Sequence, residues 1–169
     1  MEPERGFEPI MKLCIIYHSY SGITRGCARS IQAACGGDLV EVTPREKYGT
    51  LTAYTRGCLR ARNEEIEPID PETIDIAPYD LLVIGTPVWA WKATPATNAG
   101  IAALQGCNGK KAVIFATCGS KPGETLPILK KALNNKGVTV LEEIVLTRKD
   151  LEKKTAELVA TVKKAMNPS

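Results

Sequence analysis

The sequence predicts an α/β protein built on a doubly wound, parallel β-sheet with helices on both faces. Two observations carry that expectation. The runs Leu13-Cys-Ile-Ile16, Leu81-Leu-Val-Ile84 and Ala112-Val-Ile-Phe115 are apolar without polar alternation, as strands covered on both faces must be. Strand-like and helix-like segments also alternate along the chain, which implies right-handed crossovers between parallel strands.

Taken in order, strands are expected at 12–17, 38–43, 79–85, 111–116 and 138–146. Helices are expected at 22–34, 51–63, 94–104, 124–136 and 150–166. Gly36-Gly37 and Gly137 stand where the first and fourth helices should stop. Asp150 reads as an N-cap of the last helix. Residues 1–10 show no periodicity and are expected to be a disordered extension, leaving 11–169 as a single domain.

Composition narrows the function classes. With 169 residues, 44% of them hydrophobic, the chain can bury a substantial core. Neither a bilayer-spanning run nor a signal peptide is evident, so a cytoplasmic protein off the membrane is expected. Six scattered cysteines without a Cys-x-x-Cys pair, and one histidine, speak against a zinc site and a disulfide framework. A net charge of +3, from 22 Lys+Arg against 19 Asp+Glu, is too mild for a nucleic-acid surface.

In a doubly wound sheet, ligands bind beyond the carboxyl ends of the strands. Three loops therefore matter. The first, Ser19-Tyr-Ser-Gly-Ile-Thr24, places three hydroxyls around Gly22 at the start of a helix. Unpaired N–H groups there can hold a phosphate, although Ser and Thr also serve as plain helix caps. The turn contains no Lys or Arg. A nucleoside triphosphate would call for a cation, whereas a monophosphate can be held by N–H and O–H donors.

The second loop, Thr86-Pro-Val-Trp-Ala-Trp91 and on to Pro95, contains both tryptophans of the chain. A planar aromatic ligand could stack there, while at least one indole is expected to pack on a neighbouring helix. The third loop, Thr117-Cys-Gly-Ser120 and on to Gly123, offers small residues and backbone donors suited to the edge of a flavin pyrimidine. Cys118 reads as a small filler of a tight turn in preference to a redox thiol. His18, at a strand end with no carboxylate nearby in sequence, reads as structural. No catalytic residue and no metal ligand is expected.

Other nucleotide sites fail on residues: there is no Gly-x4-Gly-Lys-Ser/Thr and no Gly-x-Gly-x-x-Gly after the first strand. The acidic cluster of a receiver domain and the Cys-x5-Arg of a small phosphatase are missing too.

With these loops on one edge, the chain resembles flavodoxins and flavodoxin-like FMN proteins, from Lys12 to about Met166. Ser19–Thr24 is similar to the family's Thr/Ser-x-Thr-Gly-x-Thr turn. Residues 79–90 and 115–120 resemble the strands leading into its two flavin-flanking loops. The resemblance implies a five-stranded sheet in the order 2-1-3-4-5 and FMN as cofactor. Ser19, Tyr20, Ser21, Gly22, Ile23 and Thr24 would surround the phosphate. Thr86, Pro87, Val88, Trp89, Ala90 and Trp91 would border one side of the flavin, and Thr117, Cys118, Gly119, Ser120 and Gly123 the other.

It further implies an electron carrier, a monomer or weak homodimer, serving a redox partner protein such as a ferredoxin-type donor, a reductase or an acceptor enzyme. The alternative is an FMN-dependent NAD(P)H reductase of quinones or nitro compounds, for which Arg56, Arg60 and Arg62 offer cations. A flavodoxin-like interaction module without its flavin is a third reading, against which the intact hydroxyls of the first loop speak. Two departures stand out. The chain is not acidic, and its third loop lacks the Tyr that often stacks on the ring.

Overall fold

Five parallel strands form the central sheet: β1 (Leu13–Tyr17), β2 (Asp38–Glu41), β3 (Leu81–Trp89), β4 (Lys111–Cys118) and β5 (Thr139–Thr147). Their spatial order is β2-β1-β3-β4-β5, the order expected. The computed structural model describes residues 10–168; the expected extension lies, Ile10 apart, outside the described residues.

The helices are α1 (Ile23–Cys35), α2 (residues 50–62), α3 (Pro95–Ala102), α4 (Thr125–Asn135) and α5 (Leu151–Met166). Alternation along each strand divides the core into two layers. Leu13, Ile15, Leu81, Val83, Val113 and Phe115 face α1 and α5, where they meet Cys27, Ile31, Leu158 and Val162. Cys14, Ile16, Leu82, Ile84, Ala112 and Ile114 face α3 and α4, against Ala96, Ile101, Leu129 and Leu133. Burial on both faces explains why β1, β3 and β4 carry no polar alternation.

One missing side chain shapes the first layer. Gly85 pairs in register with Tyr17 on one side and Phe115 on the other. A Cβ there would lie 2.2 Å from the Phe115 ring, so the glycine is the slot that the phenyl group fills.

Helix stops follow the glycines: Gly36, Gly37 and Gly137 have φ of 73°, 94° and 86°. Four local features differ from the sequence expectation. β3 runs on to Trp89, because a short antiparallel strand, Lys92–Ala93, gives its last residues a partner. The expected third helix closes early at Ala102, and Leu104–Gln105 pairs instead with Ile74–Asp75. The α2 segment contains a π-helical turn over Ala53–Gly57. Asp150 does not cap α5 with its side chain; its Oδ1 accepts from the N–H and hydroxyl of Thr147, both at 2.8 Å, turning back toward β5.

Two glycine substitutions should have opposite signs. Gly85→Ala pushes into the Phe115 ring and is expected to cost about 1–3 kcal/mol. Gly26→Ala, in the interior of α1 with nothing within 4 Å of the new methyl group, is expected to stabilise by about 0.5–1 kcal/mol. Urea denaturation midpoints of the two variants check both signs.

Candidate functional site

The strand order reverses between β1 and β3, and the cleft lies beyond the carboxyl ends of the strands there, as such sheets require. At its near wall, Gly22 opens α1 with φ 97° and has no side chain of its own to cap the helix. Ser19, buried, turns its Oγ inward to accept from the N–H of Gly22 at 3.1 Å and of Arg25 at 3.2 Å. Gly26 N–H reaches Gly22 O at 3.0 Å and Ser19 takes the Arg25 N–H, so Ile23 and Thr24 are the first-turn donors left without an acceptor. Thr24, 1% exposed, shares a 2.8 Å hydrogen bond with the Thr117 hydroxyl of β4. That bond ties the first loop to the third.

The far wall is the hairpin at the end of β3. Ala90 and Trp91 form its two-residue turn with φ of 48° and 64°, a left-handed conformation unusual without Gly or Asn. Neighbours hold it in place. Trp91 O accepts from Glu124 N at 3.0 Å, and Lys92 pairs with Glu64 at 2.6 Å. Gly123 admits the turn, since a Cβ there would sit 2.6 Å from Trp91 O.

Trp89 is the aromatic anchor. Its indole meets the rings of Tyr20, Tyr48 and His18 edge-on, with centroids 5.5, 5.6 and 6.4 Å away. It also packs on α2, where a Cβ at Gly57 would come within 2.7 Å of the indole. Behind it, the Tyr48 hydroxyl donates to the buried Glu67 at 2.8 Å, and Arg60 donates to that hydroxyl at 3.2 Å. Burial pushes the Glu67 carboxyl above its ordinary value.

Between the walls lies a cleft of about 430 Å³. Of the residues expected at the site, Tyr20, Ser21, Ile23, Pro87, Val88, Trp89, Ala90, Thr117, Cys118 and Gly119 line it. Ser19, Gly22 and Thr24 belong to the same turn and are outside the lining. Thr86 is fully buried, donating to Pro87 O at 2.8 Å and accepting from Thr97. Trp91, 66% exposed, is outside the lining, as are Ser120 and Gly123.

Sequence reasoning missed two further groups. Thr50, Ala53, Tyr54 and Cys58 enter from α2, and Leu146, Thr147, Arg148 and Leu151 enter from the end of β5. The hydroxyl pattern of Thr50 and Tyr54 at helical spacing was the available signal for the first group.

Neither cleft thiol is an activated nucleophile, because burial raises both Cys58 and Cys118. His18 is 5% exposed, and its Nδ1 donates to Val42 O at 2.9 Å. Burial lowers its pKa, so the imidazole is a neutral structural group.

The residues present fit a flavin mononucleotide. Free N–H donors and hydroxyls face one end of the cleft, and Trp89 and Val88 form an apolar wall. No Lys or Arg lies within Ser19–Thr24, and the adjacent Arg25 guanidinium, close to Gly22, is paired with Glu41. The fold thus defines a doubly wound α/β protein with a cleft at its switch point. The family model for flavodoxin matches residues 12–162, and the chain belongs to that family.

A candidate flavoprotein of Bacteroides eggerthii shares 27% identity, covering 89% of this chain and 98% of its own, with a TM-score of 0.72. A flavoprotein of Lactobacillus acidophilus solved in complex with FMN is 19% identical, with coverage of 86% and 99% and a TM-score of 0.64. An NADH:FMN oxidoreductase in its apo form is 16% identical, with coverage of 94% and 91% and a TM-score of 0.60. No curated protein matches the chain.

The buried His18 predicts a signed pH effect. Its folded pKa lies below the 6.5 of an unperturbed imidazole, so the unfolded chain takes up a proton first. Stability is then lost as pH falls through 6.5 toward the lowered value. His18→Asn keeps a donor for Val42 O without titrating. The stability difference between wild type and this variant should be constant above pH 7 and shift against wild type below it, in denaturation series at fixed pH.

Proposed function

We propose that this protein binds FMN non-covalently in the cleft and shuttles electrons between redox partner proteins in the cytoplasm. The observation that carries the reading is the junction at Thr24 and Thr117, which brings a cation-free anion turn to the mouth of a cleft walled by Trp89. Bound FMN would supply the redox chemistry, accepting and giving up electrons.

The chain's own residues do the rest. The N–H groups of Ile23 and Thr24 and the hydroxyl of Ser21 hold the phosphate end. Trp89, fixed between Gly57 and three rings, gives the flat ring a rigid apolar wall and excludes water from it. Small residues at Cys118 and Gly119 leave main-chain groups open toward the pyrimidine edge. The resulting site orients a flavin.

The reductase alternative would have to be carried by cations for a pyridine nucleotide. Arg56 is paired with Glu46 at 3.0 Å, and Arg60 with Glu65 and Glu67 at 3.8 Å each. Two of the three arginines that favoured the alternative are thus engaged with the protein's own carboxylates. The likeness to an NADH:FMN oxidoreductase lies in the fold, which carriers share.

Fluorescence titration tests the cofactor. FMN should bind with quenched emission, and riboflavin, which lacks the phosphate, should bind at least tenfold more weakly; equal affinities would refute the phosphate turn. Gly22→Val should abolish the preference through its φ of 97°, not through a clash, since the space around the position is open. The FMN-loaded protein should oxidise NADH and NADPH no faster than free FMN does, and rapid turnover of either would establish the reductase.

A further inference from the structure

Among the described residues, Arg148 is the one charged side chain lining a cleft otherwise made of hydroxyl, aromatic, thiol and apolar groups. It leaves β5 directly after Thr147, whose register partner is Cys118 on β4. One residue before Cys118, the Thr117 hydroxyl meets Thr24 of the anion turn at 2.8 Å. Neighbouring strands run about 4.8 Å apart, so a single strand step and one hydroxyl contact separate the arginine's strand from the turn. Ser21 and Ile23 of that turn line the same cleft.

The guanidinium is also uncommitted. Arg25, Arg45, Arg56 and Arg60 each form an ion pair with a glutamate, whereas Arg148 has no carboxylate partner among the described residues. The carboxylate nearest in sequence, Asp150, is engaged on one oxygen: its Oδ1 accepts from the N–H and hydroxyl of Thr147. A cation beside a site for an anion, without an ion-pair partner among the described residues, is arranged for a ligand.

We propose that Arg148 is the counter-ion of the flavin nucleotide's phosphate monoester and sets the preference of this site for the phosphorylated flavin. The assignment rests on the FMN reading above. It resolves the absence of Lys and Arg from the turn itself: the N–H and O–H donors define where the phosphate sits, and the charge arrives from the far end of the sheet. A guanidinium suits this role, because its planar fork can donate two hydrogen bonds to adjacent phosphate oxygens where an ammonium offers a point charge.

The test compares wild type, Arg148→Gln and Arg148→Lys by fluorescence titration with FMN and with riboflavin, each at low and high salt. Arg148→Gln should weaken FMN about tenfold or more, leave riboflavin within about twofold, and flatten the salt dependence of FMN binding. Arg148→Lys should fall between the two. Unchanged FMN affinity in Arg148→Gln overturns the assignment, as does a parallel loss for FMN and riboflavin, which would place the arginine at the ring or in the wall. Wild-type protein that binds both flavins equally removes the FMN reading and this assignment together. A wild-type preference for FMN that persists undiminished in Arg148→Gln removes this assignment alone.

Discussion

The structure depends on burying β1, β3 and β4 on both faces at once. Those strands cannot carry polar side chains until they leave the core, and being parallel they leave it at one edge. Tyr17-His18-Ser19, Gly85-Thr86 and Ala116-Thr117 mark the three exits, and the change from apolar to polar occurs at the same level of the sheet because the register demands it. The Thr24–Thr117 hydrogen bond is the local consequence: two hydroxyls 93 positions apart meet in a buried place where each needs a partner.

From this constraint the rest of the site follows in layers. Gly85 accepts Phe115 beneath the cleft, fixing the spacing of β3 and β4. Trp89 then stands at the end of β3 with α2 pressed against it. The π turn brings Gly57 to the indole, and the absence of a side chain there is what permits the approach. Tyr48 and the buried Glu67 behind it form a polar support that is satisfied internally. A wall braced on several sides loses little freedom when a flat ligand arrives, which favours tight binding without large rearrangement.

The fold was legible because its signals are local and repeated. The apolar runs of β1, β3 and β4, and the glycines at 36, 37 and 137, each state one element and its end. The first and third loops were legible because Ser19, Ser21, Thr24 and Thr117 stand directly after such runs. What escaped reading depends on contacts distant in sequence. Ala90 and Trp91 adopt left-handed backbone with none of the residues that announce it, held there by Gly123 and Glu124. The same holds for the π turn, whose sequence, Ala-Tyr-Thr-Arg-Gly, reads as ordinary helix until Trp89 is placed against it. Asp150 looked like a cap, yet its carboxylate takes the two donors of Thr147 instead of the N–H groups of the helix start. Arg148 carried no signal in the sequence, and the register of β5 on β4 brings it to the cleft.

The central claim is that the first turn of α1 holds a phosphate monoester at the mouth of a cleft walled by Trp89. Amide NMR of the protein during FMN addition addresses it most directly, because each donor reports on itself. The account predicts that the N–H signals of Ser21, Ile23 and Thr24 shift strongly with FMN and only weakly with riboflavin, while the Trp89 indole N–H responds to both. Large shifts at Ser21–Thr24 with riboflavin, or none there with FMN, would contradict it.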